Sequence, residues 1–318
     1  MHILFVADPL ASFKIYKDTT FAMMRELHRR GHRVSACEVG DIAWVGGGLV
    51  TAAAREIRLT GDPVAWFVPA GTDDAPARSA LKDYTAVIMR KDPPFDSEYF
   101  YATHLLEQAG REGARVFNQP RALRDHPEKL AIMEFSQFCG PTLVTRSAAD
   151  IKRFHAEHRD IILKPLDGMG GAGIFRVRDD GLNLGSITET LNRDGAQSVM
   201  VQKFLPAIAQ GDKRVLLIGG KPVPYCLARI PQDGEVRGNL AVGGKGVAQP
   251  LSARDREIGE SLGPVLAARG LLLVGVDVIG DHVTEINVTS PTCFQEISDQ
   301  TGFDVPAMFV NALEAAVC

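Results

Sequence analysis

Residues 160–178 read Asp160-Ile161-Ile162-Leu163-Lys164-Pro165-Leu166-Asp167-Gly168-Met169-Gly170-Gly171-Ala172-Gly173-Ile174-Phe175-Arg176-Val177-Arg178, and their interpretation decides the fold. Gly168 to Gly173 satisfies the G-x-G-x-x-G pattern of dinucleotide-binding domains. That pattern requires a helix directly after the loop, because the helix N-terminus receives the pyrophosphate. Here the alternating β pattern Ile174 to Arg178 follows instead. The unit is therefore strand, glycine loop, strand: a flap whose backbone N–H groups can close over phosphates. Lys164, just ahead of the flap, supplies a compact counter-charge. Taken singly, Lys164 and Lys129 also fit ordinary surface lysines. A protein kinase uses a comparable glycine hairpin, but this chain has no D-F-G companion.

Toward the N-terminus, strand and helix alternate. Ile3–Ala7 reads as a strand and Thr19–Arg30 as a helix, with Phe21, Met24, Leu27 and His28 on one stripe and Gly31 at its end. Strands over 32–39, 85–90 and 115–118, with a helix over 97–110, complete a Rossmann-like parallel sheet domain. Ligands of such sheets sit past the carboxyl ends of the strands, where Arg90 to Asp96 falls. Asp125-His126-Pro127-Glu128 reads as a capping box with Pro in the first turn, opening a helix that carries Lys129. Beyond it, strands are expected over 161–164, 174–178, 199–204, 214–218, 223–229 and 273–288. The Gly-rich stretch from Pro231 to Gly246 lacks an apolar period and reads as a lid or a disordered segment.

Toward the C-terminus, Asp277, Glu285 and Asn287 lie on two strands joined at Gly280-Asp281. Glu285 and Asn287 are two apart and leave one face together. Three oxygen donors of this kind suit Mg²⁺; a polar edge-strand face is the alternative. A two-residue turn places Asp277 opposite Thr284, hence on the wrong face, so its participation requires an odd-length loop or a bulge. Arg214 and Arg229 either point inward, where each needs an anionic partner, or face water. The hydroxyls of Ser290-Pro291-Thr292 suit a carboxylate, or simply a turn. Gly259-Glu260-Ser261-Leu262-Gly263 matches a nucleophile elbow, but it lies inside a helical stripe of Ile258, Leu262, Val265 and Leu266 and lacks the preceding strand. His155 and His158 read as a solvated helix face.

Composition sets the outer bounds. With 318 residues the chain is long enough for two or three domains. Its net charge of −4 argues against a nucleic-acid partner. The N-terminus lacks the basic region of a signal peptide, and no apolar run approaches the ~18 residues of a membrane span. The five scattered cysteines lack a C-x-x-C pair and read as reduced thiols of a cytoplasmic protein.

Taken together, Met89 to Asp96, Ile162 to Gly171, Asp212-Lys213-Arg214, Cys226 to Pro231, Arg237 to Leu240 and Thr284 to Thr292 resemble the prokaryotic glutathione synthetases of the ATP-grasp superfamily. The resemblance covers nearly the whole chain. It implies a Rossmann-like domain over 1–124, then a two-part ATP-grasp fold with a central lid domain over 125–205 and a C-terminal domain over 206–318. It implies a ligase that joins γ-glutamylcysteine to glycine with ATP and Mg²⁺, Mn²⁺ being an alternative ion, in a homo-oligomer, by family a tetramer. Carried over by position, Lys129, Lys164, Gly168, Gly170 and Gly171 hold phosphates, while Gln202, Lys203, Phe204, Leu205 and Asp212 meet the nucleoside. Asp277, Glu285 and Asn287 hold the metal. Arg214 and Arg229 serve the chemistry, and Arg90, Asp92, Asn239, Ser290, Pro291 and Thr292 contact the peptide. Some members carry Ser where this chain has Gly173. A ligase for another peptide, a nucleotide-binding regulatory module and a Rossmann oxidoreductase are the rival readings.

Overall fold

Three β-sheets organise the computed structural model, which describes residues 1–71, 75–235, 237–238, 240 and 243–318. The N-terminal part runs β1 (His2–Val6), α1 (Thr19–Arg29), β2 (Arg33–Cys37), β3 (Ile42–Trp44), β4 (Val50–Leu59), β5 (Phe67–Pro69), β6 (Ala77–Ala80), β7 (Ala86–Met89), α2 (Ser97–Arg111), β8 (Val116–Phe117) and α3 (Pro120–Asp125). Ile3, Leu4, Phe5 and Val6 are fully buried, as a central strand covered on both faces requires. Strands β2-β1-β7-β8 are parallel. The antiparallel β4, with β3, β5 and β6 on it, extends the sheet beyond the expected parallel core. The Ala52-Ala53-Ala54 run of β4 has weak strand propensity, which hides it in the sequence.

Three expectations need correction. His28 is exposed, and Glu26, 5% exposed, holds the adjoining inward place on α1 because Arg29 and Arg30 neutralise it. Asp125 caps nothing: α3 ends there, and His126 Nδ1 bonds back to the Ala122 carbonyl at 2.7 Å. Glu128–Leu130 form a turn leading into a 3₁₀ helix, Ala131–Phe138. His155 is buried with Nε2 2.7 Å from the Arg178 carbonyl, not on a solvated face.

The central part comprises β9 (Thr142–Thr145), α4 (Ala148–His158), β10 (Ile161–Pro165), β11 (Phe175–Val177), α5 (Leu184–Asn192) and β12 (Val199–Lys203). Its sheet is antiparallel in the order β11-β10-β12-β9. The glycine loop thus joins two antiparallel strands, and no helix follows it. Ile151, Ile161, Leu163, Val177, Val199 and Val201 close a small separate core.

The last part comprises β13 (Asp212–Ile218), β14 (Lys221–Ile230), β15 (Lys245–Pro250), α6 (Ala253–Ala268), β16 (Leu273–Ile279), β17 (His282–Asn287), α7 (Phe294–Thr301) and α8 (Val305–Val317). The five strands form one antiparallel sheet, β15-β14-β13-β16-β17. Ser261 is exposed in mid-α6, so the elbow match is accidental; Val265 is 40% exposed and leaves the stripe. In the β16–β17 hairpin Ile279 faces His282 and Val278 faces Val283, but Asp277 faces Glu285. Thr284 is the extra residue of a bulge. The bulge carries Asp277, Glu285 and Asn287 to one face, the geometry that a plain two-residue turn denies them.

Candidate active site

A cavity of about 330 Å³ opens between the central sheet, the last sheet and the turn after β7. Lys164 enters from the end of β10. It is 6% exposed, and its Nζ donates to the Thr284 carbonyl at 3.2 Å, a group turned toward it by the bulge. Lys129, equally buried, donates to the Gly168 carbonyl at 2.5 Å and to Glu285 Oε1 at 3.2 Å. Burial pushes the Lys164 ammonium below its ordinary pKa, and Lys129 adds to this while Glu285 opposes it. Two crowded ammoniums with one carboxylate between them favour an incoming anion.

The glycine loop borders the same space. Gly171 and Gly173 have φ of 84° and 70°, the left-handed region. A Cβ on Gly173 would lie 3.1 Å from the Pro165 ring, so any side chain there would be strained. Gln202, Lys203, Phe204 and Leu205, at the end of β12 and just past it, line the same cavity with Ile162, Ile174, Ile208 and Val283. Such an apolar slot ringed by backbone groups suits a flat heterocycle.

Three buried charges, Arg214, Arg229 and Asp277, and the partly buried Asp212 lie together in the lining. Arg214 Nε donates to Asp277 Oδ1 at 2.6 Å, and Arg229 Nη2 donates to Asp212 Oδ2 at 2.6 Å and Asp277 Oδ2 at 2.9 Å. Burial alone would raise the Asp277 pKa, but the two guanidiniums hold it well below the usual carboxylate range. Asp212 goes the other way: burial pushes it up, with the charge of Asp277 adding to the rise. Asp277 is therefore the firmly ionised member, and Asp212 keeps one buried oxygen, Oδ1, without a partner among the described residues.

The metal donors pass a chemical test. Asp277, Glu285 and Asn287 all line the cavity from one face, and Asn287 donates its amide to the Gly275 carbonyl at 3.3 Å, leaving its own oxygen free. This all-oxygen set fits a hard divalent cation. Glu285 and Asn287 are the readier pair, since both Asp277 oxygens already accept from arginines. No cluster of three His, Cys, Asp or Glu side chains suited to a metal occurs among the described residues.

Of the residues singled out from the sequence, Asp92, Ser290, Pro291 and Thr292 also line the cavity, with Ser290 Oγ donating to Asp92 Oδ1 at 2.5 Å. Arg90 stands behind the lining. Its Nε donates to Thr20 Oγ1 at 3.0 Å and its Nη2 to the Pro291 carbonyl at 3.1 Å, so it grips the turn from the rear. Asn239 lies outside the described residues. Glu128, Arg237 and Cys293 line the cavity too; of these only Arg237 falls in a stretch that carries the resemblance, and no sequence signal gives any of them a role. Glu128 was visible only as a helix-cap residue.

Comparison with known proteins agrees with this arrangement. Residues 1–124 match the family model for the prokaryotic glutathione synthetase N-terminal domain, and residues 128–302 match that for its ATP-grasp domain. The chain is 58% identical to the glutathione synthetase of Ralstonia nicotianae over 316 residues, covering 99% of this chain and 96% of that one. It is 56% identical to that of Neisseria meningitidis serogroup B, covering 99% and 98%. Among solved structures, D-cycloserine synthetase DcsG shares the fold with a TM-score of 0.69 at 16% identity, covering 99% of this chain and all of that one.

Proposed function

The chain belongs to the prokaryotic glutathione synthetase family, and on that footing we propose how its cleft performs the reaction. It is an ATP-dependent ligase that joins γ-glutamylcysteine to glycine, giving glutathione, ADP and phosphate. The observation that carries the residue assignments is the convergence on one cavity of Lys129, Lys164 and the glycine loop with Glu285, Asn287 and the Ser290–Thr292 turn.

A carboxylate resists amines because its leaving group would be oxide. In the proposed sequence a carboxylate oxygen of γ-glutamylcysteine attacks the γ-phosphorus of ATP, and ADP departs. The glycine nitrogen then attacks the acyl phosphate carbon, and phosphate leaves with the original carboxylate oxygen as the amine loses its proton. Phosphoryl transfer asks mainly for positioning and charge neutralisation. Lys129, Lys164 and the loop amides neutralise the phosphate tail, and the apolar slot with Gln202, Lys203, Phe204, Leu205 and Asp212 takes the nucleoside. Arg229 and Arg214, locked by Asp212 and Asp277, present fixed positive charge to the transferring group. Glu285 and Asn287, with Asp277, would hold Mg²⁺, which supplies further neutralisation of phosphate charge when bound. Asp92, Ser290 and Thr292 receive the dipeptide, with Asn239 proposed beside them and Arg90 steadying the turn.

The proposed division is 1–124, 125–205 and 206–318, with ATP between the last two. The five free cysteines support a reducing, cytoplasmic setting, and no helix among the described residues is long and apolar enough to cross a membrane. A homotetramer follows from the family resemblance; sedimentation at a monomer's rate would exclude it. The function is tested by ADP release with ATP, Mg²⁺ and γ-glutamylcysteine, with and without glycine. Steady release that requires glycine is expected, and glycine-independent or absent release contradicts it.

A further inference from the structure

Val288 and Thr289 lie past the end of β17, where no strand among the described residues pairs with them, yet both are buried and their backbone groups need partners. Side chains supply them. Glu128 Oε1 accepts from Val288 N at 2.9 Å, from Thr289 N at 3.1 Å and from Thr289 Oγ1 at 2.8 Å. Asn118 Nδ2 donates to the Val288 carbonyl at 2.8 Å and to the Leu273 carbonyl at 2.8 Å, and its Oδ1 accepts from Leu273 N. Val288 is thus held at both ends by two residues of the link between the first and second sheets. The next residues are held from the same side, Ser290 by Asp92 and Pro291 by Arg90.

We propose that Glu128 is a positioning residue that sets the Thr289–Thr292 turn for the dipeptide, acting as a hydrogen-bond acceptor. The inference rests on the reading that this turn meets γ-glutamylcysteine. One oxygen collects three converging donors, so no single water or backbone group replaces it without moving the turn. The main chain of Glu128 is anchored separately, its carbonyl accepting from Ile286 N at 3.0 Å. Removing the side chain therefore frees the turn while Lys129, one residue on, stays docked. The nucleotide and dipeptide halves of the cleft should then respond differently.

The test compares Glu128→Ala and Glu128→Gln in the full chain by KM for γ-glutamylcysteine, by ADP titration, and by amide hydrogen exchange across residues 286–292. In Glu128→Ala, a rise of about tenfold in the dipeptide KM and a similar gain in exchange rate are expected, with ADP affinity within about twofold of wild type. Glu128→Gln keeps an acceptor oxygen and should restore both to within about threefold. Should Glu128→Ala fail to fold, Thr289→Val removes one of the three bonds and should raise the dipeptide KM about threefold with ADP unchanged. Unchanged exchange and KM in Glu128→Ala, equal losses of ADP and dipeptide, or a Gln variant as impaired as Ala would each overturn the proposal. If the wild-type chain does not turn over the dipeptide, the reading of the turn fails, and the exchange comparison still decides whether Glu128 holds it.

Discussion

Asp277 illustrates how much a single residue depends on its surroundings. From the sequence it is one of three oxygen donors; in the fold it is also the shared partner of Arg214 and Arg229. Removing its charge leaves two buried guanidiniums facing Asp212 alone, so Asp277→Asn should lower unfolding free energy by about 3–5 kcal/mol in urea titration. A loss below about 1 kcal/mol would mean that the ion pairs do not support the fold. Glu285 is different, its side chain being partly exposed and, among the described residues, bonded to Lys129 alone. Glu285→Ala should leave the protein folded, with a melting temperature lowered less than in Asp277→Asn because the carboxylate is partly exposed, while turnover falls at least about tenfold and the Mg²⁺ requirement rises. Wild-type Mg²⁺ dependence in that variant would refute its role. Residue types and spacing marked Lys129, Lys164, Glu285 and Asn287 as candidates against plainer readings, a surface lysine or a polar edge strand, and only the family resemblance gave them roles. Glu128 was illegible, since its partners lie about 160 positions away.

At the scale of elements, the glycine loop and the hairpin were legible to different degrees. The strand after Gly173 is written in the alternation of Ile174 to Arg178, so the loop could be separated from a dinucleotide fingerprint by local pattern alone. The hairpin register was legible only as a condition. The bulge at Thr284 is satisfied by Lys164, a residue of another sheet, and no local signal announces it. The first and last helices form a comparable long-range pair. Arg30 on the α1 C-terminus donates to Glu26 and, at 2.8 Å, to Glu314 of α8, which also accepts from His32. The hydrogen bonds from Arg29 and Arg30 hold Glu26 below the usual carboxylate range against the opposing effect of burial. Its stabilising contribution is then full above the unfolded value of about 4.3 and is lost as the pH falls through the lower folded value. Glu26→Gln should cost about 1 kcal/mol at pH 7. Thermal melts of variant and wild type should draw together as the pH falls below the unfolded value of about 4.3 and coincide once it is below the lower folded value. A gap that persists there would show that the loss is one of shape, not charge.

For the whole molecule, the site is a product of assembly. Asp92 comes from the turn after β7, Lys164 from the central sheet and Arg229 from the last, and no two of these share an element. Fold class and site composition were both legible through family resemblance, whereas the antiparallel β3–β6 extension was not, because alanine-rich strands look like neither helix face nor core. Arg237 projects into the cleft opening from the stretch after β14 and is ion-paired to Glu235. If that stretch covers bound substrates, tryptic cleavage after Arg237 should slow several-fold with a non-hydrolysable ATP analogue and γ-glutamylcysteine together, and an unchanged cleavage rate would count against a lid. The claim beneath all of this is that the cleft makes an inert carboxylate reactive by phosphorylating it. That is read most directly with γ-glutamylcysteine carrying ¹⁸O in its cysteinyl carboxylate, by mass spectrometry of the phosphate released during turnover. One labelled oxygen should appear in each phosphate, and unlabelled phosphate formed alongside glutathione would contradict the account.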